Sequence, residues 1–200
     1  MKRRIVLASG NKGKLKEFSE ILNPINFEVV SQGELGVLDI EETGLSFVEN
    51  AILKARHACA VTGLPAISDD SGLEVDALCG APGIYSARFA GEGATDAKNI
   101  EKLLGDLAEL DESQRSARFR CVLVCMRHQN DPTPLIALGT WEGRVLAAPE
   151  GENGFGYDPI FWAPEFDCAA AELTSEQKRS VSHRGKAVAE LSAQLTDFLR

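Results

Sequence analysis

The sequence lacks any run approaching the roughly 18 to 20 apolar residues of a membrane-spanning helix, so no such span is expected. Its basic opening, Lys2-Arg3-Arg4, is followed by only four apolar residues, too few for the core of a secretory signal. Cysteine is scarce and odd in number, at positions 59, 79, 121, 125 and 168, with no C-x-x-C among them. Neither a disulfide framework nor a zinc knuckle is indicated. Cys121 and Cys125 lie in the apolar run Cys121-Val122-Leu123-Val124-Cys125-Met126 and read as small buried hydrophobes. Basic residues are in deficit, 21 Lys and Arg against 30 Asp and Glu, for a net charge of −9. That balance argues against a nucleic-acid or anionic-membrane partner, which needs a broad basic face. Internal repeats, low-complexity tracts and flexible linkers are absent. The expected residence is cytoplasmic, with no membrane and no nucleic acid as partner.

Two common phosphate-binding signatures are also missing. A P-loop requires G-x-x-x-x-G-K-[ST]. Here Gly10 and Gly13 are too close, and Leu15 follows Lys14 where a hydroxyl residue belongs. No G-x-G-x-x-G occurs either. What is present has the same logic in another form. Lys2 to Ala8 reads as a strand, Ser9-Gly10-Asn11-Lys12-Gly13-Lys14 as a tight polar loop, and Leu15, Phe18 and Leu22 as one face of a helix. A strand-to-helix turn carrying two lysines suits phosphate, because backbone N–H groups and the positive helix end meet there. The same pattern also describes an ordinary turn with solvated lysines.

At 200 residues, 44% of them hydrophobic, the chain can build its own core in one domain or two closely joined lobes. Phe27 to Val30 reads as a second strand. Ser46-Phe47-Val48-Glu49 has capping-box form and opens a helix to about Thr62, stopped by Gly63. Ala66 to Ser68 reads as a short strand ending in the turn-like Asp69-Asp70-Ser71-Gly72. Thr95 to Leu110 is helical in pattern, and Arg118 to Arg127 is a strand buried on both faces. Leu135 to Leu138 and Trp141 to Leu146 read as two further strands. Gly151 to Gly156 is a glycine-rich loop, Thr174 to Gln177 resembles another capping box, and a last helix begins near Ser182. The expected fold class is α/β with a long mixed central sheet and flanking helices.

Four groups of residues could carry chemistry. On the Ser46 helix, Asn50 and Lys54 share a face, which for Asn50 and His57 also fits a solvated polar surface. The paired aspartates Asp69 and Asp70, read at a strand's C-terminal edge, would present carboxylates where ligands gather in open α/β sheets. Carboxylates with phosphates suit Mg²⁺, whereas an Asx-type turn is the bland alternative. Phe155-Gly156-Tyr157-Asp158 offers a flat ring for a base and an acceptor for its N–H groups, or a plain hairpin turn. Lys178, His183 and Arg184 supply donors suited to a carbonyl oxygen or phosphate, or a surface pair.

Together these segments resemble the inosine triphosphate pyrophosphatase family, the Ham1-type enzymes, and its bacterial branch most nearly. The resemblance rests on Ser9 to Lys14, on Glu41-Glu42-Thr43-Gly44 with Glu49-Asn50-Ala51 and Lys54-Ala55, and on Ser68 to Leu73. It continues through Gly83 to Arg88, Gly154 to Pro159 and Ser182 to Ala187, covering essentially the whole chain in order. It implies a single catalytic domain, 1–200, whose two lobes flank a substrate cleft. It implies hydrolysis of ITP, dITP and XTP between the α and β phosphates, which cleanses the nucleotide pool. Magnesium dependence and a homodimer are implied as well. Residue by residue, Asp70 would be the catalytic proton acceptor and a metal ligand, with Glu41 the second ligand. Ser9, Gly10, Asn11, Lys12, Gly13 and Lys14 would hold the triphosphate, and Lys54 and Ser71 the phosphates or sugar. Phe155, Gly156, Tyr157 and Asp158 would hold the base, Phe155 by stacking, with Lys178, His183 and Arg184 reaching the substrate. A Maf-type pyrophosphatase and a nucleotide sensor without turnover are the competing functional readings.

Overall fold

Seven strands in the hydrogen-bonded order β2-β1-β3-β4-β5-β6-β7 form the central sheet. The computed structural model describes residues 2–200. The strands are β1 (Arg3–Leu7), β2 (Phe27–Ser31), β3 (Ala66–Val75), β4 (Ser116–Met126), β5 (Leu135–Val145), β6 (Phe161–Ala163) and β7 (Cys168–Ala169). The helices are α1 (Lys12–Leu22), α2 (Phe47–Thr62), α3 (Asp96–Asp106), α4 (Ser175–Val181) and α5 (His183–Phe198). β1 pairs in parallel with β2 and β3, while β6 is antiparallel to both its neighbours, so the sheet is mixed as expected.

The chain divides into two compact units. The first holds the described part of Met1–Asp70 with Val122–Leu138 and Ala187–Arg200, and the second holds Ser71–Cys121 and Gly139–Lys186. Each has its own apolar core. In the first, Val6, Ala8 and Ala66 pack with Val122, Val124 and Met126 against the small face Ala51, Ala55 and Ala58 of α2. In the second, Leu73, Val75, Phe119, Trp141, Tyr157 and Phe161 are the large members, and Phe119, Trp141 and Phe161 meet ring to ring. Cys121 and Cys125 are buried, as read.

Several local readings hold because their physical signals are strong. Ser46 caps α2 by accepting the Glu49 N–H, and Gly63 ends it at φ +67°, a left-handed conformation that glycine adopts without Cβ strain. Thr174 and Gln177 form the reciprocal cap of α4. Ala187, Leu191 and Leu195 bury one face of α5.

Three readings are corrected. α1 begins at Lys12 rather than after Lys14, because the Asn11 side chain accepts from Gly13 N and Lys14 N and draws the loop's second half into the first turn. Asp69-Asp70-Ser71-Gly72 is neither a turn nor a strand end. β3 runs straight through it to Val75, because Leu73 and Val75 continue into the second unit's core. Leu135–Val145 is one strand, not two. The glycines and polar residues at 139–143 do not break it, since Ala137, Gly139 and Trp141 maintain the period-two burial.

Candidate functional site

In the first unit, two lysines stand on the paired aspartates. Asp69 and Asp70 are adjacent on β3, so their side chains leave opposite faces of the strand. Lys14, in the first turn of α1, reaches Asp69 at 2.9 Å to Oδ1 and 2.7 Å to Oδ2. Lys54, from the middle of α2, reaches Asp70 Oδ1 at 3.0 Å and Glu42 Oε1 at 2.6 Å. The Ser9–Lys14 segment, α2 and β3 are thereby brought together within this unit. The Asp69 side chain is 1% exposed and that of Asp70 11%.

Glu42 reaches Lys54 because its loop is fastened at both ends. His57 Nε2 lies 3.1 Å from the Leu38 carbonyl, and Gln32 Nε2 donates to Asp39 Oδ1 at 2.5 Å. Further along, Gly44 N donates to Asn50 Oδ1 at 2.8 Å and Leu45 N to Glu49 Oε2 at 3.0 Å. A Cβ on Gly44 would sit 2.6 Å from the Glu49 Cβ, so only glycine fits there. Beside the Glu42–Lys54 pair is a cavity of about 170 Å³, lined also by Gln32, Asp39 and His57. That space admits an ion or a phosphoryl group, well short of the several hundred Å³ of pockets for whole organic ligands.

Burial pushes the Asp70 carboxyl above its ordinary value, and Glu42 adds to this; Lys54 pulls against both without cancelling them. Burial also works against the Lys54 ammonium, but Asp70, Glu42 and Asp69 outweigh it and its pKa is raised. Burial thus decides the direction at Asp70, and the surrounding carboxylates decide it at Lys54. Asp70 Oδ2 and the neighbouring Asn50 Nδ2 are both buried, and neither completes a hydrogen bond of ordinary geometry. The amide still lies close enough to favour the charged carboxylate.

In the second unit, Phe155 is 56% exposed, with Lys178 Nζ 4.8 Å and the Arg184 guanidinium 5.7 Å from its ring centroid. Arg184 Nη2 also reaches Ser71 Oγ at 3.4 Å. The His183 ring stacks on Phe119 at 4.8 Å and 13°. His183 and Arg184 are buried, not the surface pair that their sequence also allowed. Asp158 is buried and braces the loop: its Oδ2 accepts from Phe155 N at 2.8 Å and pairs with Lys178. Gly154, at φ +81°, has no room for a side chain against that carboxylate. Tyr157 is buried and donates its hydroxyl to the Ser86 carbonyl at 2.9 Å.

The expected residues thus fall into two groups. In the first unit Lys54 meets Asp70, and Lys14, which follows Ser9, Gly10, Asn11, Lys12 and Gly13 in sequence, meets the adjacent Asp69. Ser71, Phe155, Gly156, Tyr157, Asp158, Lys178, His183 and Arg184 belong to the second. Glu41 is exposed, and its neighbour Glu42 is the one that pairs with Lys54. Sequence reasoning missed Glu42 and Asn50 as members of the cluster. Asn50 is fully buried rather than on a solvated face. Its i, i+4 relation to Lys54 was the signal, since the two share the helix face that meets β3.

Known proteins resemble this chain over nearly its whole length. The model of the Ham1 family matches residues 5–194. A protein named dITP/XTP pyrophosphatase from Photobacterium profundum is 60% identical over 194 residues, which is 97% of this chain and 98% of that protein. One of the same name from Vibrio parahaemolyticus is 59% identical over 97% of each. The structure of a HAM1 protein from Coxiella burnetii superposes with a TM-score of 0.94 at 53% identity, covering 98% of this chain and 99% of that one.

Proposed function

From the premise that the chain belongs to the Ham1 family, we infer that it hydrolyses deaminated purine nucleoside triphosphates. Its substrates are ITP, dITP and XTP, and water cleaves the bond between the α and β phosphates to give the monophosphate and pyrophosphate. The names of its relatives support the substrate class. The observation that carries the chemistry is the double pairing of Lys14 with Asp69 and of Lys54 with Asp70 and Glu42.

A triphosphate competes for both ammoniums, and each ammonium it draws away leaves a carboxylate short of counter-charge. Three acids already face two lysines, and Asp70 has a buried oxygen with no hydrogen bond of ordinary geometry. That donor set fits a hard cation. No ready cage of three or more acidic, histidine or cysteine ligands exists among the described residues, but Mg²⁺ commonly takes only one or two carboxylates and completes its shell with phosphate oxygens and water. Asp70 with Glu42 or Glu41 would hold it. When bound, Mg²⁺ supplies charge neutralisation to the phosphates and to the departing pyrophosphate.

Asp70 takes the proton of the attacking water. Its burial raises its pKa and makes it a stronger base than a solvated carboxylate. Lys14 and Lys54 hold the phosphates, and Phe155 offers its exposed face to the purine ring. Arg184 lies beside the Phe155 ring with its N–H donors, and His183, next in sequence, stacks on Phe119 and brings a further ring N–H. A 6-keto oxygen accepts from them, whereas the 6-amino group of adenine is itself a donor and leaves them unmatched. A homodimer and cytoplasmic residence complete the proposal; no helix among the described residues is long and apolar enough to cross a membrane.

The test is product analysis on a panel of dITP, XTP, dATP and dGTP with Mg²⁺. Pyrophosphate equimolar with monophosphate, from dITP and XTP foremost, is the expected result. Release of orthophosphate, or binding without product, overturns the proposal.

A further inference from the structure

The loop that presents Phe155 is held from a distance by a residue with no assigned role. Asp96 occupies the first turn of α3, directly after the cap Thr95. Its Oδ2 accepts the N–H of Gly156, the residue after Phe155, at 2.7 Å across 60 residues of sequence. Two further fastenings lie inside the loop's own buried base, where Asp158 takes the Phe155 N–H and Tyr157 reaches the Ser86 carbonyl. Asp96 grips the exposed side, and it does so from a helix.

That helix start is itself fixed. Asn99, one turn on and buried, accepts from Ala90 N at 2.8 Å and donates to the Ala87 carbonyl at 3.2 Å. The carboxylate is therefore mounted on a rigid element rather than on another loop. Its charge also reaches Tyr157, where it adds to burial in raising the phenol's pKa.

We propose that Asp96 is a positioning residue for purine recognition: it locks the Gly156 peptide so that the Phe155 ring stands ready for the base. It touches neither substrate nor reacting atoms. A charge-assisted hydrogen bond of this kind is stronger than a neutral one, and a preset ring spares the ordering that binding would otherwise require. The inference rests on the reading of Phe155 as the base's stacking surface.

The experiment compares Asp96→Ala, Asp96→Asn and Phe155→Ala in dITP kinetics, in calorimetric binding of inorganic tripolyphosphate as a probe without a base, and in Tm. Asp96→Ala should lower kcat/KM for dITP by about 3- to 10-fold, the range expected of one exposed hydrogen bond, mainly through KM. Tripolyphosphate affinity and Tm should stay at wild-type values, and Asp96→Asn, which keeps an acceptor oxygen, should recover most of the loss. If Phe155→Ala raises KM for dITP and Asp96→Ala does not, the positioning role is overturned while the stacking surface stands. If neither moves KM, the stacking reading itself fails. Equal weakening of dITP and tripolyphosphate by Asp96→Ala would reveal general damage and also overturn the proposal.

Discussion

Asp70 has one oxygen on Lys54 and the other buried without a hydrogen bond of ordinary geometry, inside a cluster of acids. Burial raises its pKa above the ordinary 3.8. The protonated form cannot accept a proton from water, so activity falls as pH drops through the raised value. The acid limb of the kcat/KM profile should accordingly lie above pH 3.8, and a limb at or below that value would contradict the role. Lys14 presents a different case, because its partner Asp69 has a side chain only 1% exposed. Lys14→Ala should destabilise the fold by about 1–3 kcal/mol, the penalty for a buried acceptor that loses a charged donor. The double variant Lys14→Ala/Asp69→Asn should regain that stability in urea melts yet keep the weakened dITP affinity. Recovery of both together would remove Lys14 from phosphate binding.

At the scale of elements, the turn between β4 and β5 depends on one acid. Asp131 is buried and accepts from Arg127 N at 3.0 Å, Arg127 Nε at 2.8 Å and Thr133 N at 3.0 Å. These bonds, the Arg127 side chain foremost, hold its pKa well below the usual carboxylate range. Asp131→Ala should therefore lower stability by roughly 2 kcal/mol, as for a buried charged acceptor with several donors. The sign in pH follows from the depressed value: the contribution is complete above the ordinary 3.8 and is lost as pH falls toward the native value. Denaturation across pH 2–6 should show the gap between wild type and Asp131→Asn closing on the acid side, and a constant gap would refute the assignment. Elements of this kind were unevenly legible. Caps were readable because Ser46, Gly63 and Thr174 act through local geometry alone. The path of β3 was not, since Asp-Asp-Ser-Gly has turn chemistry and only Leu73 and Val75, buried by distant residues, carry the strand onward. β6 and β7, of three and two residues, are too short to show any period.

At the scale of the molecule, the proposed function gives phosphate contacts chiefly to residues of the first unit and base contacts to residues of the second. Adjacent positions on β3, Asp70 and Ser71, belong one to each. The order of motifs along the chain made the family legible, because each motif is weak and their succession is specific. Which acid meets Lys54 was not legible: Glu41 and Glu42 are equivalent in composition, and the fastening of their loop by His57, Gln32 and Asn50 decides between them. The most direct measurement of the account is a paired one on Asp70→Asn, with dITP affinity and pyrophosphate release determined on the same preparation. Affinity should stay within a few-fold of wild type and release should fall by about 100-fold or more, the usual contribution of a positioned proton acceptor. Release at near-normal rates would contradict it.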